Sequence, residues 1–135
     1  ILMHSSSSSS SFCRRLKVLD ITGVQLATDA SLVRIVNNLH SLVELSISKT
    51  KATDATVSGM SGRLPKLRSL NMIACEEVTT EAVLALIQGA ASPATLSIDL
   101  TACRSMTPSP EFIEAAAGLA ECVFPDTTPK WTEKK

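Results

Sequence analysis

Two histidines, four cysteines and a few paired carboxylates are the residues of this 135-residue chain best suited to catalysis or metal binding. His4 precedes a run of seven serines (5–11), and His40 follows Asn37, Asn38 and Leu39 at the end of a helical pattern. A catalytic His40 would need a nucleophile or carboxylate brought to it from elsewhere. A cation complementing a helix C-terminus explains its position without one. Cys13, Cys75, Cys103 and Cys122 are widely spaced, with no C-x-x-C and no Cys/His cluster, so no zinc site is expected. They are also too sparse for a disulfide scaffold, so reduced thiols in an intracellular, cytoplasmic protein are expected. Glu76-Glu77 and Glu111/Glu114 stand at or just before predicted helix starts, where the helix dipole favours negative charge. Gly59-Met60-Ser61-Gly62-Arg63 lacks the Lys-Ser/Thr of a phosphate loop and does not directly follow a strand. No catalytic, cofactor-binding or metal-ligating residue is expected, and the chain reads as a non-enzyme.

Composition narrows the partners. Thirteen basic side chains balance thirteen acidic ones. This argues against broad electrostatic binding to nucleic acid or to an anionic membrane. Arg14-Arg15, Lys17 and Lys134-Lys135 are scattered and not interleaved with aromatics, which make only 3% of the chain. Base-stacking platforms are excluded on that ground. No apolar run approaches the roughly 18 residues of a membrane span. The 44% hydrophobic content suffices for a packed core. The chain begins at Ile1 without an initiator Met, which predicts a fragment or a processed product.

The elements that position these residues come from an internal repeat. Leu16-Lys17-Val18-Leu19-Asp20-Ile21 aligns with Leu42-Val43-Glu44-Leu45-Ser46-Ile47, with Leu67-Arg68-Ser69-Leu70-Asn71-Met72 and with Thr95-Leu96-Ser97-Ile98-Asp99-Leu100. The steps are 26, 25 and 28 residues. The pattern continues three residues later with Val24, Thr50, Cys75 and Cys103. Ala-Thr-Asp (27–29), Ala-Thr-Asp (52–54), Val-Thr-Thr (78–80) and Met-Thr-Pro (106–108) follow. The L-x-x-L-x-L core at this period is the signature of leucine-rich repeats. The continuation resembles the cysteine-containing, ribonuclease-inhibitor-like repeat subtype, best in Leu67, Leu70, Met72, Cys75, Val78, Thr79, Ala82 and Val83. Val24 and Thr50 depart from it, as does Thr95. The resemblance implies an α/β solenoid of about four repeats, with short parallel strands on a concave face, helices on a convex face and protein partners.

The alternation sends Leu19/Ile21, Leu45/Ile47, Leu70/Met72 and Ile98/Leu100 inward. Each strand needs a crossover, usually helical, to reach its parallel neighbour. Asp29 is read as the cap of a helix over 30–39, and Thr79 or Thr80 as the cap of one over 81–91. The 54–64 crossover is expected to be short because of Gly59 and Gly62. Ser109-Pro110-Glu111 starts a last helix, read over 112–123. Residues 1–12 are read as a Ser-rich flexible leader, 13–123 as the repeat domain and 124–135 as a C-terminal tail.

The solvent-facing strand positions form a small, polar, mildly acidic concave surface, from which Asp20, Glu44, Ser46, Asn71, Ile73 and Asp99 are candidate partner contacts. Its acids suit an Arg- or Lys-bearing partner, while its lack of Trp, Tyr and Arg leaves it without the usual hot-spot anchors. It reads equally as an uncommitted solvated face. The aromatics sit at the ends, so Phe12, Phe124 and Trp131 are candidate end-docking residues. No polar cap precedes Leu16, which predicts further repeats or a partner at the N-terminal edge. The expected function is a non-catalytic protein–protein interaction module or scaffold. The alternatives are a structural subunit of a large assembly, the substrate-recognition part of a ubiquitin-ligase adaptor, or an enzyme regulator or inhibitor.

Overall fold

The computed structural model describes residues 15–124. Phe12, Cys13, Trp131, the serine run and His4 lie outside them, as do both expected tails apart from Phe124. Five short strands form one parallel sheet in sequence order: β1 (Val18–Asp20), β2 (Glu44–Ser46), β3 (Ser69–Asn71), β4 (Ser97–Asp99) and β5 (Glu121–Val123). Four helices return the chain: α1 (Asp29–Asn38), α2 (Asp54–Met60), α3 (Thr80–Gln88) and α4 (Pro110–Ala116). Each helix packs on the next, as each strand does, so the described residues form a two-layer ladder of repeats with its core between the layers.

The strand register is the one the repeat alignment predicts. Leu19, Leu45, Leu70, Ile98 and Cys122 are mutual partners across the sheet. Leu45, Leu70 and Ile98 are buried, and so are Ile47, Met72 and Leu100 in the next inward column. The loops contribute Ala52, Val78 and Met106, and the helices Leu32, Val36, Val57, Val83, Ile87 and Phe112. No helix among the described residues is long and apolar enough to cross a membrane.

Each repeat turns out of its strand through one left-handed residue: Gly23 (φ 81°), Lys49 (φ 58°), Ala74 (φ 58°) and Ala102 (φ 62°). Glycine adopts this region without a Cβ clash, whereas lysine and alanine are strained there. The inter-repeat bonds from the backbone N–H groups of Gly23, Lys49 and Ala74 to Ser48, Ile73 and Thr101 carbonyls hold the turn in place.

Several sequence expectations need correction. Thr28, not Asp29, caps α1: Thr28 and Ser31 exchange hydrogen bonds in a capping box, and Asp29 is the first helical residue. The third helix ends at Gln88, earlier than expected, because Gly89 provides its C-terminal cap. A Cβ on Gly89 would also approach Ser61 Oγ to 2.8 Å. The second crossover is short as predicted, and Gly59 has a packing role besides. An added Cβ there would meet Val33 Cγ2 at 2.6 Å, so glycine lets α2 approach α1.

The largest difference is at the end. The segment read as a helix over 112–123 is α4 followed by a fifth strand. Leu119-Ala120-Glu121-Cys122-Val123-Phe124 is a degenerate fifth copy of L-x-x-L-x-L, with Cys and Phe in two leucine positions. In the fourth repeat Thr95 is exposed, and Leu96, after a short 3-10 turn (Pro93–Thr95), fills the core instead.

Candidate protein-binding face

The outward strand residues fall into three columns. The first holds Val18, Glu44, Ser69, Ser97 and Glu121, and the second Asp20, Ser46, Asn71, Asp99 and Val123. The third, just past the strands, holds Thr22, Ser48, Ile73 and Thr101. The sheet thus brings together all six concave-face candidates, Asp20, Glu44, Ser46, Asn71, Ile73 and Asp99. It adds Glu121, which sequence reasoning missed because β5 was taken for helix. The 24-residue step from Thr95 to Leu119 was the signal that could have found it.

In each of the first two columns a pair of acidic groups flanks two neutral polar ones. Glu44 and Glu121 are three strands apart in the first column, and Asp20 and Asp99 three apart in the second. At about 4.8 Å per strand each pair spans roughly 14 Å. Ser69 and Ser97 lie between the first pair, Ser46 and Asn71 between the second. No Lys or Arg occupies any of the three columns.

Local hydrogen bonds fix the aspartates. Thr22 N donates to Asp20 Oδ1 at 2.9 Å. Thr101 donates to Asp99 Oδ1 through its N at 3.0 Å and its Oγ1 at 2.6 Å. Both are D-x-T turns in which the aspartate accepts from the residue two positions on. The Thr22 side chain and backbone hold the Asp20 carboxyl below its ordinary value, so it is ionised at neutral pH. Hydroxyls then run across the sheet. Thr22 Oγ1 and Ser46 Oγ are 2.7 Å apart, and Ser46 Oγ donates to Ser48 Oγ at 3.3 Å. Ser48 Oγ accepts from the Ile73 backbone N–H at 3.0 Å.

Ser48, although it belongs to an outward column, does not face solvent. It is buried, 4% exposed, and serves the framework of the face. Ile73 is half-buried, while Asp20, Glu44 and Glu121 are exposed. Among the described residues Glu44, Asn71 and Glu121 make no side-chain hydrogen bond, which leaves their polar atoms to solvent or a partner.

The other candidate chemistry resolves into structure. Cys75 Sγ donates to the Ile47 carbonyl at 3.2 Å, and Cys103 Sγ to the Met72 carbonyl at 2.9 Å. Each thiol reaches into the preceding repeat. Burial raises both thiols, Cys103 to about 11, and also lifts the half-buried Cys122, with help from the Asp99 carboxylate, to about 11. Thr50, at the same position in the second repeat, donates instead within its own repeat, to the Ile47 carbonyl at 2.8 Å. His40, Glu76 and Glu77 are exposed, and the described residues contain no group of three or more metal-ligating side chains close enough to hold an ion. Phe124, an expected end-docking residue, is half-buried with its ring edge-to-face on buried Phe112, centroids 5.8 Å apart. Phe12 and Trp131 are outside the described residues.

The Thr-Asp signature, read from the sequence as helix capping, links repeats. Asp29 accepts from Thr53 N at 2.9 Å, from Thr53 Oγ1 at 2.8 Å and from the buried Thr56 hydroxyl. Asp54 accepts from Thr79 N and Oγ1, both at 2.7 Å. Thr80 stands where a third aspartate would. Its hydroxyl accepts from Thr107 N at 2.8 Å and donates to the Thr107 carbonyl at 3.1 Å. Pro108 ends the series.

No protein-family model matches the chain, and no curated protein matches it. A solved structure described as leiomodin-1 actin-binding site 2 (ABS2) is similar to it, with a TM-score of 0.69 at 13% identity. The match covers 95% of this chain and 80% of that one. At that identity the likeness carries the fold, and with the register above it makes the chain a leucine-rich-repeat-type solenoid.

Proposed function

We propose that this chain is a non-catalytic, intracellular protein-binding module whose concave face takes an extended, basic segment of a partner protein. The observation that carries this reading is the pairing of Asp20 with Asp99 and of Glu44 with Glu121 across a neutral hydroxyl and amide centre, with no cation among them. An extended chain advances about 3.3 Å per residue, so two Arg or Lys residues four apart match the roughly 14 Å between the acids of each pair. Charge complementarity of this kind contributes partner choice and association rate more than affinity. The cysteine-containing subtype is part of the proposal. The thiols of Cys75 and Cys103 bond to the preceding repeat, as suits a small buried donor repeated along a solenoid.

Selection from a random peptide display library tests the face. Peptides enriched in Arg and Lys at a four-residue spacing are expected. An Asp20→Asn/Asp99→Asn double variant should lose that enrichment, and affinity for a selected peptide should fall by roughly 0.5–2 kcal/mol in total. Enrichment without basic residues, or an unchanged affinity, rejects the face as the binding surface.

A second reading, binding to actin, is favoured by the likeness to the leiomodin-1 actin-binding site over 95% of this chain. Co-sedimentation with actin filaments and titration of labelled actin monomers test it, and absence of binding in both rejects it.

A further inference from the structure

The two ends of the solenoid differ from its middle. Leu19 and Ile21 are only half-buried, whereas their counterparts Leu45, Leu70 and Ile98, and Ile47, Met72 and Leu100, are buried. Val24 is 43% exposed, although Thr50, Cys75 and Cys103 at the same position are 6%, 0% and 0% exposed. Leu26 is 92% exposed. Its third-repeat counterpart, Glu77, forms a parallel bridge to Thr53 of the repeat before it. Each of these first-repeat positions is thus built to meet a preceding repeat, and β1 has no strand on that side among the described residues. At the other end β5 pairs with β4 alone, and Ile113 and Val123 are 39% and 38% exposed. An unpaired strand edge beside exposed apolar side chains is a template for another strand.

Charge distinguishes the ends. Arg15 and Lys17, both exposed, lead into β1 and outnumber its one acid, Asp20, which is held by Thr22. From 105 to 124 the chain has Glu111, Glu114 and Glu121, all exposed, and no Lys or Arg. The β1 end therefore matches the β5 end in strand direction, apolar character and opposite charge. It does not match itself, because two β1 ends would place like charges together.

We propose that the β1 edge takes the β5 edge of a second copy of this chain, head to tail, extending the parallel sheet from one molecule into the next. The Thr-Asp ladder plays no part in this junction. Thr28 is satisfied by Ser31 in its own repeat, so it needs no carboxylate from a neighbouring molecule. Apolar contact, sheet bonds and charge carry it. A heterologous contact does not close at two copies, so growth is open-ended unless a ring forms.

Light scattering and sedimentation of the full chain over a concentration series test this. The expected mass passes that of a dimer as concentration rises, and falls when salt screens the charges. Leu26→Glu places an acid at the β1 end, and Ile113→Glu/Val123→Glu places acids at the β5 end. All three positions are exposed, and far-UV circular dichroism should show the fold retained. Each variant alone is expected to remain monomeric. Mixed in equal amounts they should form a dimer that grows no further, because one intact end of each kind remains and the two blocked ends repel. A wild-type chain that is monomeric at every concentration or whose assembly stops at two, or a variant mixture that stays monomeric, overturns the proposal.

Discussion

Asp29 and Asp54 show how a single carboxylate holds two repeats together. Burial pushes the Asp29 carboxyl up, but the hydrogen bonds from Thr56 and Thr53 together outweigh it and hold it below the ordinary 3.8. With the folded value below the unfolded one, the stabilisation is fully present above pH 3.8 and is lost as pH falls from there through the folded value. Acid titration of the melting temperature should show this loss, and Asp29→Asn should flatten it. Asp29→Ala should cost about 1–3 kcal/mol at neutral pH, since three donors lose a charged acceptor. A denaturant midpoint within error of wild type would reject the linking role. The thiols give a second test at this scale. Cys75 and Cys103 are fully buried, with thiol pKa values raised by burial, and should react with a thiol reagent only after denaturant is added. Peptide mapping of the labelled protein checks this site by site.

At the scale of the element, the recurring turn after each strand sets the balance between strain and entropy. Ala74 carries a left-handed backbone that costs an alanine about 1–2 kcal/mol. A glycine there relieves the strain but loses about 0.5–1 kcal/mol in chain entropy. Ala74→Gly should therefore stabilise by up to about 1 kcal/mol, while Gly23→Ala should destabilise by a similar amount. Opposite shifts in urea midpoint would confirm that one turn geometry serves both repeats. This turn was not legible in the sequence, because Gly23, Lys49, Ala74 and Ala102 share no side-chain chemistry. The strands were legible, since inward alternation leaves its mark in Leu, Ile and Met. The cap of α1 was misread because Thr28 and Asp29 are both good cap residues. What decided between them was Thr53, a residue 24 positions away. The fifth strand escaped notice because Cys122 and Phe124 replace aliphatic residues and α4 supplies a helical pattern just before it.

Across the whole molecule, the sheet makes function a matter of columns. Asp20 and Asp99 are distant in sequence but belong to one row of outward positions, and the repeat alignment alone was enough to say so. Glu121 was missed, although the 24-residue step from Thr95 to Leu119 pointed to it. The same columns run through the core, so Leu70→Ala removes a fully buried side chain from the middle of the stack. It should cost about 2–5 kcal/mol and lower the melting temperature of the described repeats as one transition. An unchanged melt would mean that the register is wrong. A split transition would mean that the repeats unfold separately.

The Thr-Asp ladder also gives the solenoid a gradient. Its first junction has three donors on a carboxylate, its second has two, and its third rests on one hydroxyl. As far as these links decide, the fourth repeat opens from the third more readily than the second opens from the first. Amide protons of α4 should then exchange faster than those of α1. The strand edge that invites a second copy lies one strand beyond the repeat that loosens first, and an arriving copy would act as the missing clasp.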